Sequence, residues 1–447
     1  MLYLIVRFCG YLLLILAGIY TFEAYFVFRH QNHEKARKHI YRRQQCELLL
    51  FGLLGFLVLF ANTADVRVLE ICGAMLAVFA VLYLFYHHFY RGASRLLLNN
   101  TCMLISVGLL FITRLSVEKG MRQVFFLAIG SLAALIIPFF MRWGSFFRKL
   151  TWLYAGLGIA GLLIVALMGP ETYGAKLNIT VFGFTVQPSE FIKIIFVFFL
   201  AAMLHRRHDL RRLAVVSAIS AVFVLCLVAS CDLGGALIYF FTYLVMLYAA
   251  SEQIGYLACG FAFIGAAGAV AMRIFTHVKT RVAAWQDPLA VYTEGGYQIS
   301  QALFAIGTGG WWGLGLGQGL PEKIPVAVSD FIFAAIAEEM GGIFAICLIL
   351  ICLSTFFLII NLTMQMGSRF FRLVSLGLGT EYALQVFLNI GGGIKFIPST
   401  GVTLPLVSYG GSSLISTMIL IGVVQGLYIV HMERLREQRE RGQTDEA

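Results

Sequence analysis

Charge is scarce in this chain. Only 13% of its residues are Asp, Glu, Lys or Arg, whereas 60% are hydrophobic and the mean hydropathy is +0.85. That balance excludes an ordinary soluble domain and a disordered chain, and it defines a multi-pass membrane protein. Proline is also rare, with 8 in 447 residues, so long apolar runs are free to be helical. The nine cysteines are scattered, mostly inside apolar runs, with no CxxC and no His at ligand spacing. They are expected to be packing residues, and neither a zinc site nor a disulfide framework is expected.

The net charge of +10 does not point to nucleic acid. The basic residues sit in short stretches between apolar runs: HEKARKHIYRR (33–43), MRWGSFFRK (141–149), HRRHDLRR (205–212), GSRFFR (367–372) and MERLREQRERG (432–442). This is the charge asymmetry of cytoplasmic loops. Runs long enough to cross about 30 Å of hydrocarbon predict an all-α, polytopic helical bundle of about thirteen spans. They lie near 3–28, 46–63, 68–90, 98–116, 122–141, 150–169, 189–204, 213–230, 232–250, 255–275, 330–361, 371–393 and 404–431. The first run is too long for a signal-peptide core and lacks a small-residue cleavage site, so it is expected to be retained. With every basic stretch inside, the N-terminus is outside and the C-terminus inside. Segments 170–188, 276–329 and 394–403 then fall on the outer face.

The 276–329 segment is too long to be an ordinary connection and too apolar for disorder. Its alternating Gly313, Gly315, Gly317 and Gly319 supply close backbone approach rather than a dinucleotide turn, because neither the GxGxxG spacing nor a preceding strand is present. An amphipathic re-entrant segment from about Ile299 to Gly307, lying against the bilayer, is the alternative reading of part of this stretch.

Four separated motifs carry a family resemblance in this order: DLGGA (232–236) preceded by QPSEFIK (187–193), GYQISQALFAIGTGG with GLGLGQG and SDFIFAAIAEEMG, and TGVTLPLVSYGGSSL (400–414). Together they resemble the SEDS family (shape, elongation, division and sporulation), which includes FtsW, RodA and SpoVE. The likeness covers roughly residues 98–435. It implies a ten-span core (96–435) holding the large loop, preceded by an extra region (1–95) of three spans and followed by a cytoplasmic tail (436–447). It further implies a bacterial cell-membrane glycosyltransferase that polymerises lipid II into peptidoglycan at the outer face. A class B penicillin-binding transpeptidase is the implied protein partner, and no nucleic acid is expected.

Joining a sugar hydroxyl to an anomeric carbon that carries a lipid diphosphate needs a proton acceptor and cations for the leaving group. The family's acid falls in the large loop, often as a second D-P shortly before GYQ. That second D-P is absent here, with Val291 or its neighbours in its place. Asp287 in the first D-P takes the role, or Glu294 does, or the site is impaired; Asp287 also reads as a turn-initiating acid before Pro288. Candidate substrate-binding residues are Lys176, Gln187, Ser189, Glu190, Lys193, Arg281, Tyr297, Gln298, Asp330, Glu338, Glu339, Lys395, Thr400 and Ser408. Among the cations, Lys176 and Arg281 rank above Lys395. Mg or Mn could assist the diphosphate, although no ligand cluster in the sequence demonstrates a metal.

Acids inside a span are costly, about 2.5 kcal/mol or more each, so Glu338 and Glu339 need partners. Glu190 with Lys193, or Glu381, Gln385 and Asn389, are the expected ones. The acids then either form a packing network or line an outward-open cavity. Ser408 and its small neighbours are expected to allow close helix approach, with Pro398 and Pro405 breaking the start of the last helix. A flippase of lipid-linked sugars and a noncatalytic scaffold for a transpeptidase remain as alternative functions.

Overall fold

The computed structural model describes residues 2–29, 33–90, 92–171, 175–181, 183–206 and 210–444. Part of the basic stretch 205–212, the first two residues of YGAKLNI and the last three of the tail lie outside them. The helices are α1 (Leu2–Arg29), α2 (Glu34–Thr63), α3 (Val66–Phe89), α4 (Arg95–Leu115), α5 (Val117–Met141), α6 (Gly144–Phe147), α7 (Thr151–Met168), α8 (Pro188–Leu204), α9 (Leu210–Ala229), α10 (Leu233–Ser251), α11 (Ile254–Ile274), α12 (Thr276–Gln286), α13 (Tyr297–Gly309), α14 (Ile332–Gln365), α15 (Arg369–Gly393) and α16 (Gly411–Thr444). Among the described residues, twelve of these helices are long and apolar enough to cross a membrane. The seventeen-residue α8 joins them, because at 1.5 Å per residue it spans about 25 Å. The chain is a multi-pass membrane protein. The only strands among the described residues form a hairpin of β1 (Ile179–Val181) and β2 (Phe184–Val186), turned at Gly183 with φ +80°.

Polar side chains start several helices where a backbone N–H would otherwise go unpaired. Asp65 caps α3, Ser94 caps α4, Ser116 caps α5 and Asp232 caps α10. The expected spans differ in two places. Basic stretch 33–43 is the opening of α2 rather than a loop. The last helix begins only at Gly411, after an irregular stretch from Ile394 that contains both prolines. The stretch 299–307 lies within helix α13, whose Ile299, Ala302 and Ala305 pack on Phe331, Ala334 and Ala335 at the head of α14.

Contacts between distant segments fix which helix ends lie together. At one end, Arg142 pairs with Glu433 at 2.6 Å and Arg369 donates to the Ala250 carbonyl at 2.7 Å. At the other, Lys176 N–H reaches the Ser230 carbonyl, Tyr409 N–H the Val328 carbonyl and Trp285 Nε1 the Lys395 carbonyl. The bundle therefore has a basic end and a loop-bearing end.

Helices α1–α3 are part of this bundle. They enclose α4, which is buried from Leu96 to Thr113, through a polar seam. Tyr20 donates to Asn100 Oδ1 at 3.0 Å, and Asn100 donates to Ser354 Oγ on α14 at 3.2 Å. Asn99 accepts from Tyr83 at 2.8 Å and donates to Gln44 at 3.0 Å. Such bonds hold helices together where lipid gives no hydrophobic drive between them.

Candidate active site

Two polar centres lie toward the loop-bearing end. The first surrounds Glu338 and Glu339, which are buried. Their partners are not the ones expected from sequence. Glu339 Oε1 accepts from Arg114 Nε at 3.0 Å and from Gly319 N–H at 3.3 Å, and Oε2 accepts from Gly317 N–H at 2.9 Å. Glu338 Oε1 accepts from Leu320 N–H at 3.1 Å. The same residues' carbonyls take Leu314 N–H and Gly315 N–H, at a break in α14 where Gly341 adopts φ +83°. Gly313 and Gly341 are required by space: a Cβ on Gly313 would stand 2.3 Å from the Glu339 carbonyl oxygen, and one on Gly341 would stand 2.4 Å from Gly313 N. The two acids hold the glycine loop down on the bundle.

Glu190 and Lys193 belong to a separate column. They pair at 2.6 Å, one helical turn apart. Lys193 also donates to Gln385 Oε1 at 2.9 Å, while Glu190 accepts from Ser416 at 3.0 Å and from Gln385 Nε2 at 3.3 Å. The QPSE motif folds this way because Pro188 opens α8 and turns positions 190 and 193 onto one inward face.

Above this column several segments converge, and they form the second centre. Gln187 N–H donates to Ser412 Oγ at 2.9 Å, and its amide donates to Ser189 Oγ at 3.3 Å. Ser189 donates to Asp232 Oδ2 at 3.3 Å, and Asp232 Oδ1 accepts Gly235 N–H at 2.8 Å. Burial raises the Asp232 carboxyl above its ordinary range, against the pull of those hydrogen bonds and of Arg281. Gly234 lies against the stretch that follows α15, where an added Cβ would meet the Thr400 carbonyl at 2.9 Å. Asn389 donates to the Asp330 carbonyl at 3.0 Å and to the Val402 carbonyl at 2.7 Å, and the Ser408 hydroxyl donates to the Ser329 carbonyl. Asp330, Arg281 and Thr400 therefore meet around Gly401 at this mouth, and Ser408 is held beside it through the residue before Asp330.

The loop candidates lie elsewhere. Asp287 is exposed, and its Oδ1 accepts Leu289 N–H and Ala290 N–H, both at 3.1 Å, as a turn acid does. Glu294 ends an exposed 3₁₀ turn (Tyr292–Glu294), and Tyr297 and Gln298 are exposed at the head of α13. Half-buried Lys176 belongs to the segment before the hairpin, and Lys395 adopts φ +61° after α15. Arg114 and Asp232 were missed as site residues. The signal for Arg114 was a cation at the end of an otherwise apolar run, and for Asp232 its place in the DLGGA motif.

The fold and this mouth define a polytopic enzyme core with its polar chemistry gathered at one end. Residues 94–433 match the FtsW/RodA/SpoVE family of cell cycle proteins, and the chain belongs to that family. It is 33% identical over 384 residues to peptidoglycan glycosyltransferase RodA of Mycobacterium bovis, covering 78% of this chain and 81% of that protein. It is 32% identical over 320 residues to stage V sporulation protein E of Bacillus subtilis, covering 68% and 85%. A solved chain from a peptidoglycan synthase complex coordinating polymerization and crosslinking superposes with TM-score 0.67 at 25% identity, covering 76% of this chain and 98% of that one. Thermus thermophilus RodA shares the fold with TM-score 0.57 at 24% identity, covering 76% and 97%.

Proposed function

We propose that this protein polymerises lipid II into peptidoglycan glycan strands, acting at the loop-bearing end on the outer face of the bacterial cytoplasmic membrane. The observation that carries the reading is the meeting of Arg281, Asp330, Asp232 and Thr400 over the Glu190–Lys193 column, in a chain related along most of its length to peptidoglycan glycosyltransferases. Such a mouth supplies carboxylates for a proton and a cation for a diphosphate.

Arg142 and Arg369 lie at the opposite end with Glu433 of the C-terminal helix, which favours a cytoplasmic C-terminus and an N-terminus outside. A class B penicillin-binding transpeptidase is the proposed protein partner, supported by the likeness to a chain from a synthase complex. Mg or Mn enters the proposal only as a companion of the substrate's diphosphate. Among the described residues no group of three or more His, Cys, Asp and Glu stands where it could hold a metal.

The reading is tested by supplying lipid II to the purified protein with its partner and measuring the lipid diphosphate released. Release that matches lipid II consumption is expected; intact lipid II after many hours would refute a polymerase.

A further inference from the structure

Most carboxylates near the loop-bearing end are already committed. Asp287 is bound to two backbone N–H groups, and Asp232 serves as the cap of α10 while accepting from Ser189. Glu338 and Glu339 hold the glycine loop, and Glu190 is paired with Lys193. Asp330 differs in what its carboxylate faces. Its backbone is fixed on both sides, since its N–H donates to the Val326 carbonyl at 3.2 Å and its carbonyl accepts from Asn389. Its carboxylate turns toward Gly401, where an added Cβ would lie 3.6 Å from Asp330 Oδ2 and 3.6 Å from Arg281 Nη2. An acid and a guanidinium thus face each other over a glycine that has φ +76° and no side chain to fill the space. The neighbouring Thr400 hydroxyl is buried and has no hydrogen-bond partner among the described residues.

We propose that Asp330 accepts the proton of the attacking sugar hydroxyl, with Arg281 across Gly401 receiving the charge that develops on the departing diphosphate. The inference rests on the polymerase reading and names the base for it. The hydroxyl oxygen bonds to the anomeric carbon, the bond from that carbon to the diphosphate oxygen breaks with its electron pair going to the lipid diphosphate, and the proton passes to the Asp330 carboxylate. No oxidant or co-reactant is needed. Burial raises the Asp330 carboxyl above its ordinary range, while the Ser329 hydroxyl and Arg281 pull it down, which suits a group that must take up a proton. The partly buried site and the adjacent cation are features that exposed Asp287 and Glu294 lack.

The test uses the full chain with its partner transpeptidase and labelled lipid II, comparing wild type with Asp330→Asn. Removing a general base lowers turnover by roughly 100-fold or more, and retention of lipid II on the protein should stay within about 3-fold of wild type. If Asp330→Asn keeps more than about a tenth of wild-type turnover, the assignment is overturned. A loss of turnover that tracks an equal loss of lipid II retention overturns it too, because Asp330 would then be a binding group. Should Asp330→Asn fail to fold, Asp330→Glu decides: a displaced acid limb in the pH profile of kcat supports the base, and an unchanged limb overturns it. Wild type without turnover defeats the polymerase reading itself, and this inference with it, whereas activity in both proteins defeats the inference alone.

Discussion

Arg114 Nε donates to Glu339 Oε1 at 3.0 Å, joining the end of α4 to the break in α14 across 225 positions of sequence. The glycine loop passes between them, because Arg114 also donates to the Gly319 carbonyl and Glu339 accepts from two loop N–H groups. Glu339→Ala strips Arg114 and the loop of a common partner. A loss of about 3 kcal/mol is expected, as when one member of a buried pair is removed. Thermal unfolding in detergent measures it. The double change Arg114→Leu with Glu339→Leu should cost less than the sum of the two single changes, and strict additivity would show that the two side chains do not act together.

The bundle's polarity gives a second prediction. A cysteine placed at Thr293, on the exposed 3₁₀ turn, should react with a membrane-impermeant thiol reagent in intact cells, and one at Arg211 only after permeabilisation. Exposed Cys46 and Cys259 are replaced by Ser beforehand so that the signal belongs to the new thiol. Labelling of the Arg211 position alone would invert the orientation and move the proposed chemistry to the wrong face.

The polar seam predicts that helices α1–α3 stabilise the family core. Asn100→Ala deprives the Tyr20 and Ser354 side chains of their shared partner. The expected cost is about 1 kcal/mol, because polar contacts between membrane helices are modest. Tyr20→Phe should produce part of the same fall in melting temperature, and unchanged melting in both variants would remove the seam from the account.

Sequence made the spans legible because bilayer thickness sets a length that composition reveals directly. The close approach of Gly313 and Gly319 was legible for the same reason that glycine is used there. The partners of Glu338 and Glu339 were not, since they are mainly backbone N–H groups of an irregular loop, which no side-chain pattern encodes, together with an arginine far away in sequence. The role of Asp287 was open as well, because an acid before proline also reads as local turn chemistry, and nothing in the sequence shows what the Asp330 carboxylate faces. Only the fold shows that one carboxylate is spent on its own turn while the other faces Arg281 across Gly401.

That distinction sets the expectation for Asp287→Ala. Freeing Leu289 N–H and Ala290 N–H should cost roughly 1 kcal/mol of loop stability and lower glycan synthesis only severalfold, much less than Asp330→Asn. Turnover measured on both variants in parallel checks this. A loss of about 100-fold or more in Asp287→Ala, with melting temperature unchanged, would return the role to the loop.

A polymerase makes glycan strands, whereas a flippase or a scaffold only moves or holds lipid-linked sugars. Fluorescent lipid II is incubated with the purified full-length protein and its transpeptidase partner, whose own crosslinking is blocked by a β-lactam, and the products are separated on a denaturing gel. A ladder of glycan strands is expected, absent when the wild-type chain is omitted. Lipid II that is bound, or carried across a vesicle membrane, and yet recovered as monomer would contradict it.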